Sequence, residues 1–166
     1  MDELSEALSV KSVLSRLMLD QERFSGLELR GPKKFASSTF AYTVFEGCLF
    51  QGLSLTSVFF DHCLFSDCVF TGLDSRYSVF AGSTFISCRF NDSTAIVSNF
   101  MGAEIQGSDF SANDFYFSNF SLAWLKDTLM EDCNLKHASF KGVKLDNVSF
   151  RYSNTEEALS LEAGAR

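Results

Sequence analysis

Residues 78–120, cut every five positions, read SVFAG STFIS CRFND STAIV SNFMG AEIQG SDFSA NDFYF SNF. The third residue of nearly every block is large and apolar, the first is small, and the others are mostly polar. Carried outward in the same frame, every fifth position from Phe35 to Phe150 holds Phe, Leu, Ile or Met in 22 of 24 cases, Ser75 and Ala95 being the exceptions. Sixteen of the 19 phenylalanines stand at these positions. Two residues earlier in each block stands Ser, Thr, Cys, Ala or Val, apart from Lys33, Leu53, Leu73 and Asn113, and all five cysteines (Cys48, Cys63, Cys68, Cys88, Cys133) fall there. A period of five with two inward positions matches neither a 3.6-residue helix nor a two-residue strand. It matches a chain that turns a corner every five residues, as a solenoid does.

Segments such as Ser98-Asn99-Phe100, Ser108-Asp109-Phe110, Ser118-Asn119-Phe120 and Cys133-Asn134-Leu135 run small residue, Asp or Asn, then Phe or Leu, followed by two variable positions. Over residues 35–152 the chain thereby resembles the pentapeptide repeat family. That resemblance implies an all-β fold, a right-handed quadrilateral parallel β-helix with 20 residues per coil and about six coils. Residues 20 apart then stack and define four sides. Phe40, Phe60, Phe80, Phe100, Phe120 and Phe140 line the first, and Phe45, Phe65, Phe85, Ile105, Leu125 and Leu145 the second. Phe50, Phe70, Phe90, Phe110, Met130 and Phe150 line the third; Phe35, Leu55, Ser75, Ala95, Phe115 and Leu135 line a fourth side thin in its middle, with Leu73 placed to fill part of the gap. Small residues beside each ring let the rings interdigitate in a narrow coil, which assigns the cysteines a packing role.

Outside the register, residues 1–34 read as an N-terminal capping helix and an irregular first coil. Leu4, Ala7, Leu8, Leu14, Leu17 and Met18 fall near one face at helical spacing over residues 3–19, with Asp2 as N-cap. Phe24 and Leu29 suggest the partial coil, and Arg30-Gly31-Pro32 the offset that sets the register at Phe35. Residues 153–166 read as a short C-terminal cap, with a helical turn at Thr155, Glu156 and Glu157 and Leu159 or Leu161 over the last coil.

Hydrophobic content of 46% with 21% charged residues excludes a disordered chain. A net charge of −7 disfavours direct nucleic-acid binding, which needs clustered Lys and Arg. No apolar run is long enough for a membrane span, Asp2, Glu3 and Glu6 have the wrong polarity for a secretory signal, and a cytoplasmic protein is expected. Five cysteines without a C-x-x-C pair indicate neither a disulfide framework nor a zinc site. His62 and His137 fall on different sides about four coils apart, and phosphate-binding and nucleophile motifs are missing. No catalytic, cofactor or metal residues are assigned, and an enzyme is not expected.

Two surface features suggest binding. Tyr77, Val97 and Phe117 recur every 20 residues at one corner, flanked by Ile96, Tyr116, Phe59 and Val79. Seven clustered apolar residues form a protein-interaction patch, with burial under the N-terminal helix or in a homodimer as the competing reading. The second is acidity. Residues 35–125 contain eight acids against Arg76 and Arg89, a balance of −6, with Asp92, Glu104, Asp109 and Asp114 forming an expected acidic face. The family resemblance here implies a DNA mimic that binds a type II topoisomerase, DNA gyrase or topoisomerase IV. Over the same roughly 22 Å of axis, duplex DNA would carry about 13 charges, more than twice this balance. The leading expectation is therefore a non-enzymatic protein-binding scaffold; the resemblance also admits a bacterial effector or regulatory role.

Overall fold

The computed structural model describes Leu8 and residues 10–161. Within them the chain winds as an all-β parallel solenoid of about seven turns. One seven-stranded parallel ladder carries the third and fourth sides, and a second carries the second side from Arg23–Ser25 up to Lys144–Ser149. The first side is held by single parallel bridges, Thr39 to Phe59, Phe59 to Val79 and Val79 to Asn99 among them. From Phe35 onward every pairing with the coil above is offset by 20 residues, as in Phe65 over Phe45 and Phe85 over Phe65.

The inward residues do what their period requires. Seventeen phenylalanines are buried, and only Phe59 and Phe117 are exposed. On the first side the rings of Phe40, Phe60, Phe80, Phe100, Phe120 and Phe140 stack at centroid spacings of 5.1, 5.1, 4.9, 4.8 and 5.2 Å with planes within 11°. Most contacts between sides are edge-on, such as Phe80 to Phe90 at 6.1 Å and 87°. Offset stacking along the axis with edges across it satisfies the ring quadrupoles in both directions.

The cysteines are buried and unpaired, and they do more than fill space. Cys63 Sγ donates to the Phe40 carbonyl at 2.9 Å, Cys68 to that of Phe45 at 3.3 Å, and Cys133 to that of Phe110 at 3.2 Å. Ser83 and Thr128 donate likewise to the carbonyls of Phe60 and Ile105. At these positions the small inward residue thus supplies a donor to a buried carbonyl one coil below. Burial pushes the Cys63 thiol up to about 12 and the Cys133 thiol up to about 11, whereas an unfolded thiol titrates near about 8.5. Since the folded values are raised, the unfolded chain loses these protons first and stability falls with rising pH. The urea midpoint is expected to hold below about pH 8.5 and to drop as pH rises towards 11–12. A Cys63→Ala variant that kept the full alkaline slope would contradict this.

The ends depart from the expectations of the sequence. The helix expected over residues 3–19 is not what residues 11–19 form: Val13–Ser15 is a strand paired with Lys34–Ala36, and Met18 bridges Thr39. Leu14, Phe24 and Leu29 are buried and Leu19 is partly so. They repeat every five residues one step out of phase with Phe35, which lets Leu14 pass for part of a helical face and Phe24 and Leu29 for an irregular coil. Asp2, Leu4 and Ala7 lie outside the described residues; Leu8 and Val10 are helical, and Leu8 is buried. The first coil pairs at an offset of 21 residues, as in Phe24 under Phe45, and the offset becomes 20 between Arg30 and Lys33, at the expected Arg30-Gly31-Pro32 step. At the other end Thr155–Glu157 forms one 3-10 turn, and Leu161 packs against the core while Leu159 stays exposed.

Candidate functional site at an apolar corner

Each pentad ends in a corner residue with left-handed backbone. All 24 corner positions from Ser37 to Tyr152 have φ between 48° and 69°. Gly, Asn and Asp adopt this conformation at little cost, whereas other residues lose about 1–2 kcal/mol. Asp67, Asp127 and Asn147 with Gly47 and Gly107 therefore suit the corner between the second and third sides. The corner between the fourth and first sides carries Ser57, Tyr77, Val97, Phe117 and His137 in axial order. Val97 at φ 53° is the costliest, because a β-branched side chain crowds the left-handed backbone most.

The seven apolar residues expected at this corner do come together. Tyr77, Val97, Phe117 and Phe59 are exposed, and Val79, Ile96 and Tyr116 half-buried. Ile96 pairs above Arg76 on the fourth side, and Phe59 and Val79 stack on the first. Backbone bonds from Tyr77 N to Ile96 O (3.3 Å) and Val97 N to Tyr116 O (3.0 Å) join the coils. His137, to which the sequence assigns no role, extends the row: its ring lies 4.8 Å from Phe117 and 5.9 Å from Tyr116, themselves 4.9 Å apart. Its signal is its position, 20 residues after Phe117. The flanking charges are paired, Arg76 with Asp74 at 3.0 Å and Lys136 with Glu157 at 3.0 Å.

Beneath this corner the core is thin. Ser75 and Ala95 are the inward residues of the fourth side here, and the buried hydroxyls of Ser75, Ser78 and Ser98 lack hydrogen-bond partners. The equivalent Ser118 donates to the Ala95 carbonyl. Leu73 is fully buried beside the gap. Strain, orphaned hydroxyls and exposed aromatic groups thus coincide over two coils.

The expected acidic face does not form. Glu104 lies on the second side, Asp109 on the third, Asp114 on the fourth, and Asp92 at the corner between the third and fourth. Counting along the chain merges residues that the 20-residue coil separates. Two of them also hold turns: Asp109 accepts from Ser111 N at 3.0 Å, and Asp114 from Tyr116 N at 3.1 Å and Asn134 Nδ2 at 2.8 Å. A groove of about 520 Å³ runs along the third side, lined by Asp67, Arg89, Asp109 and Asp127 among others. Among the described residues no group of three or more His, Cys, Asp or Glu side chains is placed to hold a metal. No described helix is long and apolar enough to cross a membrane, which says nothing about a β-barrel.

Among solved structures, the chain is similar to the plasmid-mediated fluoroquinolone resistance protein QnrB1, at 20% identity over 89% of this chain and 78% of that one, with a TM-score of 0.41. It is also similar to a pentapeptide repeat protein from the Arabidopsis thaliana thylakoid lumen, at 26% identity over 57% and 66% of the two chains, TM-score 0.46. A third is the pentapeptide repeat protein Rfr23 from the cyanobacterium Cyanothece 51142, at 13% identity over 83% and 87%, TM-score 0.45. No curated protein matches the sequence. The model of the pentapeptide repeats matches eight copies at residues 114–151, and the same five-residue register runs unbroken back to Phe35 through coils of four pentads. By that match the chain carries pentapeptide repeats at residues 114–151, and by that register the same repeat extends back to Phe35.

Proposed function

We propose that this protein is a non-enzymatic binding scaffold of the cytoplasm that holds a protein partner on the corner between its fourth and first sides. One observation carries the reading: Tyr77, Val97 and Phe117 occupy consecutive left-handed corner positions, where they cost backbone energy and remain exposed. Residues that are unfavourable for the fold and left exposed by it have their use outside it. The competing reading, a DNA mimic directed at gyrase or topoisomerase IV, has less support, since its carboxylates are dispersed over three sides and two of them cap turns.

The readings diverge in experiment. Apolar docking should change less than about twofold between low and high salt, because the contact buries no net charge. A Val97→Lys, Phe117→Lys double variant should lose at least about 30-fold in partner affinity, the effect of removing a central anchor. Val97→Asn should leave the protein at least as stable, since Asn tolerates the left-handed backbone, while weakening the partner. Steep loss of binding with salt, dependence on Asp109 and Asp114, and inhibition of gyrase supercoiling by micromolar protein would together favour mimicry instead.

A further inference from the structure

The docking corner is built for a particular kind of element, and we infer that its occupant is an amphipathic α-helix of a partner protein lying along the solenoid axis. The inference rests on the corner being a docking surface. Three observations single out a helix.

The first is periodicity. The coils stack with a repeat close to the 4.8–5.2 Å seen in the first-side ring ladder, so Tyr77, Val97, Phe117 and His137 form a straight row of about that repeat. A helix presents a side chain to one line once per turn, about 5.4 Å. Over the three steps of this row it drifts by roughly 2 Å and stays in phase. A strand presents alternate side chains about 6.7 Å apart, drifts by more than a whole coil over the same length, and cannot interlock with the row.

The second is the state of the backbone. The amides along the corner are already bonded coil to coil: Tyr77 N to Ile96 O, Val97 N to Tyr116 O, Asn99 N to Ser78 O and Phe117 N to Lys136 O. An extended segment laid here would find no free edge to pair with, and its own amides would be desolvated against apolar side chains. A helix arrives with its backbone bonds satisfied internally.

The third is size. At about 150–250 Å² for a fully buried aromatic side chain, the 59%, 52% and 41% exposures of Tyr77, Phe117 and Phe59 correspond to roughly 300 Å². Val97 and the half-buried Val79, Ile96 and Tyr116 bring the patch to about 450 Å². A stable dimer needs about 800 Å² from each partner, so a second copy of the chain on this corner alone falls short. About three turns of one helix match the patch in length and area. Because Arg76 and Lys136 beside the row are already paired, the facing stripe of that helix is uncharged.

The test uses the full chain and two synthetic 14-residue peptides of identical Leu, Ala, Glu and Lys composition. One places Leu at i, i+3, i+4, i+7 and i+11; the other alternates Leu with polar residues. Binding is followed by NMR at the Val97 methyls and the Tyr77 and Phe117 rings. The helical pattern is expected to shift these signals and to bind at least about tenfold more tightly than the alternating one. Binding should vanish in the Val97→Lys, Phe117→Lys variant and weaken in Val97→Asn, both checked for an unchanged melting transition. If the alternating peptide binds this corner as well or better, the helix is wrong while the docking surface stands. If neither peptide moves these signals at millimolar concentration, both ideas fall. Sedimentation showing a dimer that the double variant abolishes would assign the corner to a second copy and overturn the helix.

Discussion

Replacing Phe80 by alanine is expected to lower the unfolding free energy by about 3–5 kcal/mol, the cost of deleting a buried phenylalanine ring. Phe80 is fully buried in the middle of the first-side ladder. It stacks on Phe60 at 5.1 Å and Phe100 at 4.9 Å and meets the edge of Phe90 at 6.1 Å. The cavity has no means of collapsing, because the coil above and the coil below are held apart by backbone bonds such as Phe80 N to Asn99 O at 2.7 Å and Phe60 N to Val79 O at 2.7 Å. In a solenoid each coil touches only its neighbours, so the loss falls on two interfaces at once. For a chain of this size that corresponds to a drop in melting temperature of roughly 10 °C or more. Urea titration checks it, with Phe117→Ala as the exposed control expected to cost under about 1 kcal/mol. A Phe80→Ala loss no larger than the control would mean that the ladder is not the source of stability.

Gly31→Ala is the second large effect, expected to cost about 3 kcal/mol, at the upper end of overpacking penalties. A Cβ on Gly31 would collide with the Gly52 carbonyl oxygen and stand 2.7 Å from its carbon. Both are backbone atoms in the next coil, and no side-chain rotation relieves the clash. Gly47 is an instructive contrast. An added Cβ there meets nothing within 4 Å, and its φ of 59° is the whole difficulty, so Gly47→Ala should cost only about 1–2 kcal/mol. Hydrogen exchange would locate the damage: in Gly31→Ala the strands Val13–Ser15 and Arg23–Ser25 should lose protection first, while the coils beyond Phe60 keep theirs. Uniform loss along the rod, or none, would contradict the assignment.

Most of the coil is legible in the amino-acid order, because a solenoid gives every pentad nearly the same surroundings. A ring at Phe65 and a ring at Phe120 answer the same steric demand, so one frame finds both. The corner positions are legible for the same reason: Gly, Asp and Asn recur where the backbone is left-handed. The first coil is not. One extra residue near Gly31 moves Leu14, Leu19, Phe24 and Leu29 out of frame, and three of these then pass for irregular or helical chain. The acidic residues mislead differently, since carboxylates adjacent along the chain face different directions once it is wound.

The amino-acid order alone determined which side chains point inward and that the chain turns every five residues, because those follow from a period local to each pentad; four sides to a coil is what the family resemblance implied, and the 20-residue offset between paired strands bears it out. Tertiary structure alone decided where winding begins and how the extra residue is absorbed, because that depends on Gly31 passing over the Gly52 carbonyl one coil away. It also decided that the Tyr77, Val97 and Phe117 row ends on His137 above a core with three unpartnered hydroxyls. Hydrogen-bond satisfaction is a property of atoms brought together across coils, and no period along the chain records it.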